Sequence, residues 1–314
     1  MRDPRRFNEL ILPSIQSPLG ALPARFRRPR VLVVGCGDVG TRAARLLLPR
    51  VRVLALVRSA GEAARLRALG ITPLAGELDD AASLQRLAGL AHRVLHLAPP
   101  PGGMPHDART RALLRALARR SALQALVYGS TTGVYGDCAG ALVRETRPIR
   151  PQTRRAQARA AAEGWVRGFG RAVGARASIL RIPGIYAPGR AGGARERLRK
   201  GTPVLAPADD VYTGHIHADD LARACVLALW RGRPQRVVHA GDDSRLKMGE
   251  YYDLAAELYG LPRPPRVSRA AAGDALSPMM LSFMGESRRI DNTRLKRELR
   301  LRLRYPGPDT GLLS

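Results

Sequence analysis

Six residues near the N-terminus, Gly35, Cys36, Gly37, Asp38, Val39 and Gly40, carry the first chemistry legible in this sequence. In a loop of this spacing Gly35 allows a tight turn, Gly37 lets the backbone approach a pyrophosphate, and Gly40 lets a helix pack closely on a strand. A helix opening behind the loop offers backbone amides to an anion. The second residue of interest is Arg58, which ends the run VLALVRS, with no acid before Glu62. An aspartate or glutamate about 20 residues beyond the loop suits a ribose 2′-hydroxyl, whereas an arginine suits a 2′-phosphate. The expected cofactor is therefore NADP, with NAD as the alternative in which Arg58 is merely solvated. Ser130, Thr131 and Thr132 form a hydroxyl cluster that reads equally as a turn or cap. His215, His217, Asp219 and Asp220 resemble a metal cluster, but HxHxDD is more simply a strand with alternating faces followed by an aspartate N-cap. Cys36, Cys138 and Cys225 lie far apart without ligand spacing. Neither a metal nor a disulfide framework is expected, which fits a reducing cytoplasm.

The elements that must position these residues alternate regularly. Strands are expected over Val31–Val34, Val51–Val57, Ile71–Ala75, Val94–Ala98 and Ala125–Ser130. Helices are expected over Thr41–Leu48, Glu62–Leu69, Ala81–Ala88, with Asp79 or Asp80 as its N-cap, and Asp107–Arg120. Such βαβ alternation with short joins implies an α/β Rossmann fold, a doubly wound parallel sheet with right-handed crossovers. We read residues 1–29 as a basic tail, 30–190 as the dinucleotide-binding domain, and 191–314 as a region that completes the sheet and forms a smaller substrate-facing lobe. A further strand is expected at Ala177–Ile182 and a helix at Leu221–Trp230. That helix is the best candidate for a membrane span, but it is short and carries Arg223, and the N-terminal apolar stretch is too short for a secretory signal.

The formal charge of +27 raises nucleic acid as a partner. Only Lys200, Lys247 and Lys296 are lysines among 53 basic residues, a skew that reads as coding bias, and aromatic residues are 4% of the chain, leaving few rings to stack bases. The charge is better suited to capturing an anionic nucleotide. The expected partner is a small molecule rather than nucleic acid or membrane, and a homodimer is compatible with the sequence.

Six motifs in order, GCGDVG, GELDD from Gly76, HLAPPP from His96, STTGVYGD from Ser130, RIPGIYAPGR from Arg181 and HIHADDLARA from His215, resemble the NAD-dependent epimerase/dehydratase type of the short-chain dehydrogenase/reductase superfamily. The nearest likeness is to its atypical bacterial group of YeeZ type, which shares the ending SRRIDNTRLKREL followed by YPGP. The resemblance implies that Glu77 and Leu78 lie beside the adenine. It puts Ala98 and Pro99 beside the nicotinamide ribose, and Pro183, Gly184 and Ile185 beside the carboxamide. It makes Thr131 the hydroxyl that bonds the substrate oxygen.

Catalytic relatives carry a tyrosine that transfers the proton and, four residues later, a lysine that lowers its pKa and holds the ribose; this spacing puts both on one helix face. With Glu163 and Trp165 setting the register, Arg155 stands at the tyrosine position and Arg159 at the lysine position. Arginine has no acceptor and stays charged, so the usual proton relay is lost, although Arg159 can still donate to a ribose and Arg155 can clamp a carboxylate or phosphate. Three functions remain in view. The leading one is an NADP-dependent oxidoreductase or epimerase-like enzyme for a small polar, anionic substrate, with Tyr135 or Tyr186 as the replacement donor. The second is a non-catalytic dinucleotide sensor or scaffold, and the third, favoured by charge alone, is nucleic-acid binding.

Overall fold

The computed structural model describes residues 28–120 and 122–314. The expected basic tail lies, up to residue 27, outside the described residues. The first half alternates β1 (Arg30–Val34), α1 (Asp38–Leu47), β2 (Arg52–Val57), α2 (Ala60–Ala68), β3 (Thr72–Ala75), β4 (Arg93–His96), α3 (Ala108–Ala118) and β5 (Ala125–Thr131). There follow β6 (Leu142–Val143), α4 (Arg154–Ala172), β7 (Arg176–Ile182), β8 (Gly184–Tyr186), α5 (Ala194–Arg199), β9 (Val204–Leu205), β10 (His215–His217), α6 (Ala218–Arg231) and β11 (Arg236–His239). The C-terminal part adds α7 (Met248–Tyr259), β12 (Arg266–Val267), α8 (Ala272–Ala275), α9 (Pro278–Met284), β13 (Arg289–Ile290), α10 (Thr293–Arg297) and α11 (Pro308–Gly311).

Seven strands form one parallel sheet in the order β11-β7-β5-β4-β1-β2-β3. The chain runs outward from β1 to β3, then returns to the other side of β1 with β4, so the winding direction reverses between β1 and β4. This is the doubly wound sheet expected from the alternation. Its inner strands are largely apolar because both faces are covered. Val31 and Val33 point into a core with Ala43 and Leu47 of α1, Leu66 of α2 and Leu221 of α6. Leu32 and Val34 point into the opposite core with Leu113 and Leu117 of α3 and Val166 of α4. Each such side chain, fully buried, contributes roughly 1.5–3 kcal/mol. The smaller lobe has its own cluster, in which Leu198, Val204 and Leu205 pack on Tyr251, Tyr252, Ala255, Met280 and Leu312.

Three expectations about elements are corrected. Residues 81–88 do not form a helix; turns lead into a single 3-10 turn at Gln85–Leu87. Ser83 Oγ bonds the Glu77 amide at 3.0 Å and the Asp80 carbonyl at 2.8 Å, and Asp80 accepts from the Ala82 amide, so local side chains claim the backbone that a helix would use. Helix α1 begins at Asp38, three residues before Thr41. Helix α6 is capped by His217, whose Nδ1 accepts from the Asp219 amide at 3.2 Å, not by an aspartate. Asp220 is instead buried and receives the Arg304 and Tyr305 amides at 2.8 and 2.9 Å, fastening the C-terminal segment to the start of α6. Among the described residues no helix is long and apolar enough to cross a membrane.

Candidate functional site

The glycine loop sits at the C-terminal end of β1, at the reversal point where open α/β sheets leave a crevice. Gly35 has φ +90°, and a Cβ there would lie 2.4 Å from the Ala98 amide nitrogen. A Cβ on Gly40 would lie 2.5 Å from the Gly35 carbonyl oxygen. These two glycines are required by the protein's own packing. Gly37 differs: a Cβ there would meet nothing within 4 Å. It is also the N-cap of α1 and supplies no side chain to the first-turn amides, whereas α2, α3 and α4 are capped by Ser59, Asp107 and Thr153. An open approach to unclaimed amides is what a pyrophosphate needs. Asp38, in that first turn, would repel an anion, but Arg42 bonds it at 2.7 Å and Arg190 reaches across to pair with it. Desolvation alone would raise its pKa; the two guanidiniums outweigh this and hold the carboxyl below its ordinary value.

The rim continues across β4 and β5. Arg159 Nη1 bonds the Gly129 carbonyl at 2.6 Å, the Tyr128 hydroxyl at 3.1 Å and the Ala98 carbonyl at 3.4 Å. Gly35, Ala98, Arg159 and the end of β5 are thus one connected edge, with Pro99 exposed beside it. Thr131 Oγ1 accepts from the Gly133 amide at 3.1 Å, capping the turn that follows β5 and leaving its own proton free to donate. Arg155 is exposed one turn before Arg159 on α4, with its guanidinium 4.5 Å from the centre of the Phe283 ring. Partial desolvation pulls its pKa below the ordinary arginine value, and the charge of Glu286 opposes the shift. At the far end of the edge, Arg58 is 72% exposed with Nη1 4.0 Å from Glu77, and Leu78 packs against the core beneath. Pro183, Gly184 and Ile185 leave β7, Gly184 and Ile185 pairing with β10 through His215 and Ile216.

Two comparisons with known proteins agree with this architecture. The model of the NAD dependent epimerase/dehydratase family matches residues 31–241, from β1 through β11. The chain belongs to that family. A conserved protein of unknown function from Silicibacter pomeroyi is similar at 31% identity and TM-score 0.75, covering 91% of this chain and 97% of that one. The UDP-glucose 4-epimerase of Thermotoga maritima with UDP-glucose is 19% identical, TM-score 0.74, covering 90% and 96%. The UDP-glucuronic acid 4-epimerase of Bacillus cereus, in complex with UDP-glucuronic acid and NAD, is 19% identical, TM-score 0.73, with the same shares covered. No curated protein matches the sequence.

Both phenols named as replacement donors are buried. Tyr135 is 1% exposed, and its hydroxyl lies 2.6 Å from both His239 Nε2 and Arg181 Nη1. Arg181 in turn forks onto Glu163, whose Oε1 also accepts from Ser130 at 2.6 Å. His239 Nδ1 donates to the Asp291 carbonyl at 2.9 Å, and burial lowers its pKa to about 4. This buried chain occupies Tyr135 fully. Tyr186 is 3% exposed, packed edge-on against His217, and burial drives its pKa far up. The histidines of HIHADD are also core residues: His215 stacks on Tyr251 at 4.2 Å, and burial lowers it to about 4. Among the described residues no group of side chains is arranged to hold a metal ion.

Residues that sequence reasoning missed are Arg65, Arg190 and Glu286. Arg65 Nη2 donates to the Cys36 carbonyl at 3.3 Å from α2, beside the glycine loop, and Arg190 straddles to Asp38. Both are single arginines in an arginine-rich chain, and although Arg190 closes the RIPGIYAPGR motif, nothing in its spacing points to Asp38. Glu286 lies between α9 and β13, in a segment without periodicity.

Proposed function

We propose that this chain binds NADP(H) along the C-terminal edge of β1, β4 and β5 and acts as an atypical oxidoreductase or epimerase-like enzyme on a small polar, anionic substrate. The observation that carries the reading is the uncapped start of α1 beside Gly37, where amides and open space coincide and Arg42 and Arg190 have already neutralised Asp38. The pyrophosphate would rest on Asp38, Val39 and Gly40 amides. The ribose of the nicotinamide would meet Ala98, Pro99 and Arg159, and its carboxamide the Pro183–Ile185 backbone. Glu77 and Leu78 would border the adenine. The dinucleotide, when bound, supplies the hydride acceptor or donor. Arg159, anchored by three oxygens, orients the ribose, and Thr131 donates its free proton to the substrate oxygen.

The preference for the 2′-phosphate rests on Arg58, exposed at the end of β2, joined by Arg65 from α2. Both are fork-shaped donors suited to phosphate. A second reading, a dinucleotide sensor without turnover, is favoured by the arginine at 155 and by the engagement of Tyr135. Titrating NADPH and NADH into wild type and Arg58→Glu tests the cofactor assignment. NADPH should bind wild type at least about tenfold tighter than NADH, the worth of one charge-assisted pair, and Arg58→Glu should remove that gap. Equal affinities in the wild type would contradict the preference.

A further inference from the structure

Glu286 is 8% exposed, and among the described residues its Oε1 has no hydrogen-bond partner, an uncommon state for a buried carboxylate oxygen. Its Oε2 pairs with Arg288 Nη1 at 2.6 Å. The position of a Cβ on Gly133 is 3.8 Å from Glu286 Oε2 and 3.5 Å from Thr131 Oγ1, so the carboxylate and the hydroxyl at the end of β5 border the same space above Gly133. Arg155 lies over the ring of Phe283, in the segment just before Glu286, and it feels the charge of Glu286, as does Cys138. Three groups from three distant stretches of chain, Thr131 after β5, Arg155 on α4 and Glu286 after α9, therefore converge.

Their unmet needs differ in kind. Arg288 already balances the charge of Glu286, so its free oxygen calls for a neutral donor such as a hydroxyl, not for a cation. Arg155 makes no hydrogen bond or ion pair among the described residues, and with Phe283 on one face its in-plane N–H groups are left to pair with an anion. We propose that Arg155 and Glu286 are the two poles of the substrate site: Arg155 binds the oxyanion of a small hydroxylated carboxylate or phosphate, and Glu286 Oε1 accepts a hydrogen bond from its hydroxyl. This rests on the reading above that a small anionic substrate reacts beside Thr131.

Calorimetric titration of D-gluconate, glycerol phosphate, glycerol and acetate, into the protein with and without NADPH, tests it. At least one hydroxylated anion should bind about tenfold or more tighter than glycerol and than acetate; which of gluconate and glycerol phosphate binds separates carboxylate from phosphate. Arg155→Gln should erase the gap to glycerol. Glu286→Met should weaken the hydroxylated anion about tenfold while NADPH affinity stays unchanged, and Glu286→Gln, which keeps an acceptor oxygen, should recover part of the loss. Wild type that binds neither hydroxylated anion better than glycerol overturns the proposal, as does Glu286→Met binding the anion like wild type, its fold verified by melting temperature. Failure of the dinucleotide reading appears separately, as absent NADPH binding, and leaves the cofactor-free titrations to decide.

Discussion

Arg155 and Arg159 stand four residues apart on α4, and the structure gives them different surroundings: three oxygens hold Arg159, whereas Arg155 has none. Neither can take a proton from a sugar hydroxyl, since a guanidinium has no acceptor and remains charged. Wild type loaded with NADP(H) is therefore expected to show no conventional 4-epimerase turnover of UDP-glucose, being slower by about 10² to 10⁴ for want of a general base. Assaying it beside the double change Arg155→Tyr with Arg159→Lys checks this; wild-type turnover at the rate of tyrosine-bearing relatives would refute it. At this scale the sequence was informative where a residue type is forced by geometry. Gly35 and Gly40 are glycines because a Cβ would collide with Ala98 and with the Gly35 carbonyl, and the spacing announces that constraint. Glu286 was illegible for the opposite reason: its role comes from an orphaned oxygen and from neighbours more than a hundred residues away, which no local pattern encodes.

Among elements, the strands of the central sheet were legible because covered strands must be apolar on both faces, as in Val31 to Val34 and Ala125 to Val127. Helices were legible where a capping side chain marks their start, as Asp107 does by accepting the Thr110 amide for α3. The segment at 81–88 has helical composition and misled for a physical reason, since Ser83 and Asp80 offer the backbone better partners than the next turn would. The start of α6 misled because a histidine ring nitrogen does the work expected of a carboxylate, which releases Asp220 to hold the Arg304–Tyr305 backbone. The buried chain from Ser130 through Glu163, Arg181 and Tyr135 to His239 links β5, α4, β7 and β11. It explains why a motif tyrosine can be present and still be unavailable.

The molecule as a whole combines a formal charge of +27 with several titratable groups sealed in its core. Burial lowers His96, His215 and His239 each to about 4 from an ordinary value of 6.5. As pH falls below about 6.5 the unfolded chain takes up these protons first, so stability present at neutral pH is lost progressively towards pH 4. Asp242 runs the other way. Burial raises it to about 7 from 3.8, so its contribution is full in acid and is lost as pH rises through 7. Urea unfolding should therefore show wild type losing a few kcal/mol between about pH 6.5 and 4, and Asp242→Asn more stable than wild type at about pH 8; flat stability across the acid range would contradict the assignment of neutral buried histidines. The central claim, that a dinucleotide lies on the start of α1, is tested most directly by titrating NADPH into wild type and Gly37→Trp. Because a Cβ at 37 meets nothing within 4 Å among the described residues and points the side chain into the space proposed for the pyrophosphate, the account predicts saturable binding to wild type, none to Gly37→Trp, and nearly equal melting temperatures. Undiminished NADPH binding by folded Gly37→Trp, or none by wild type, would contradict it.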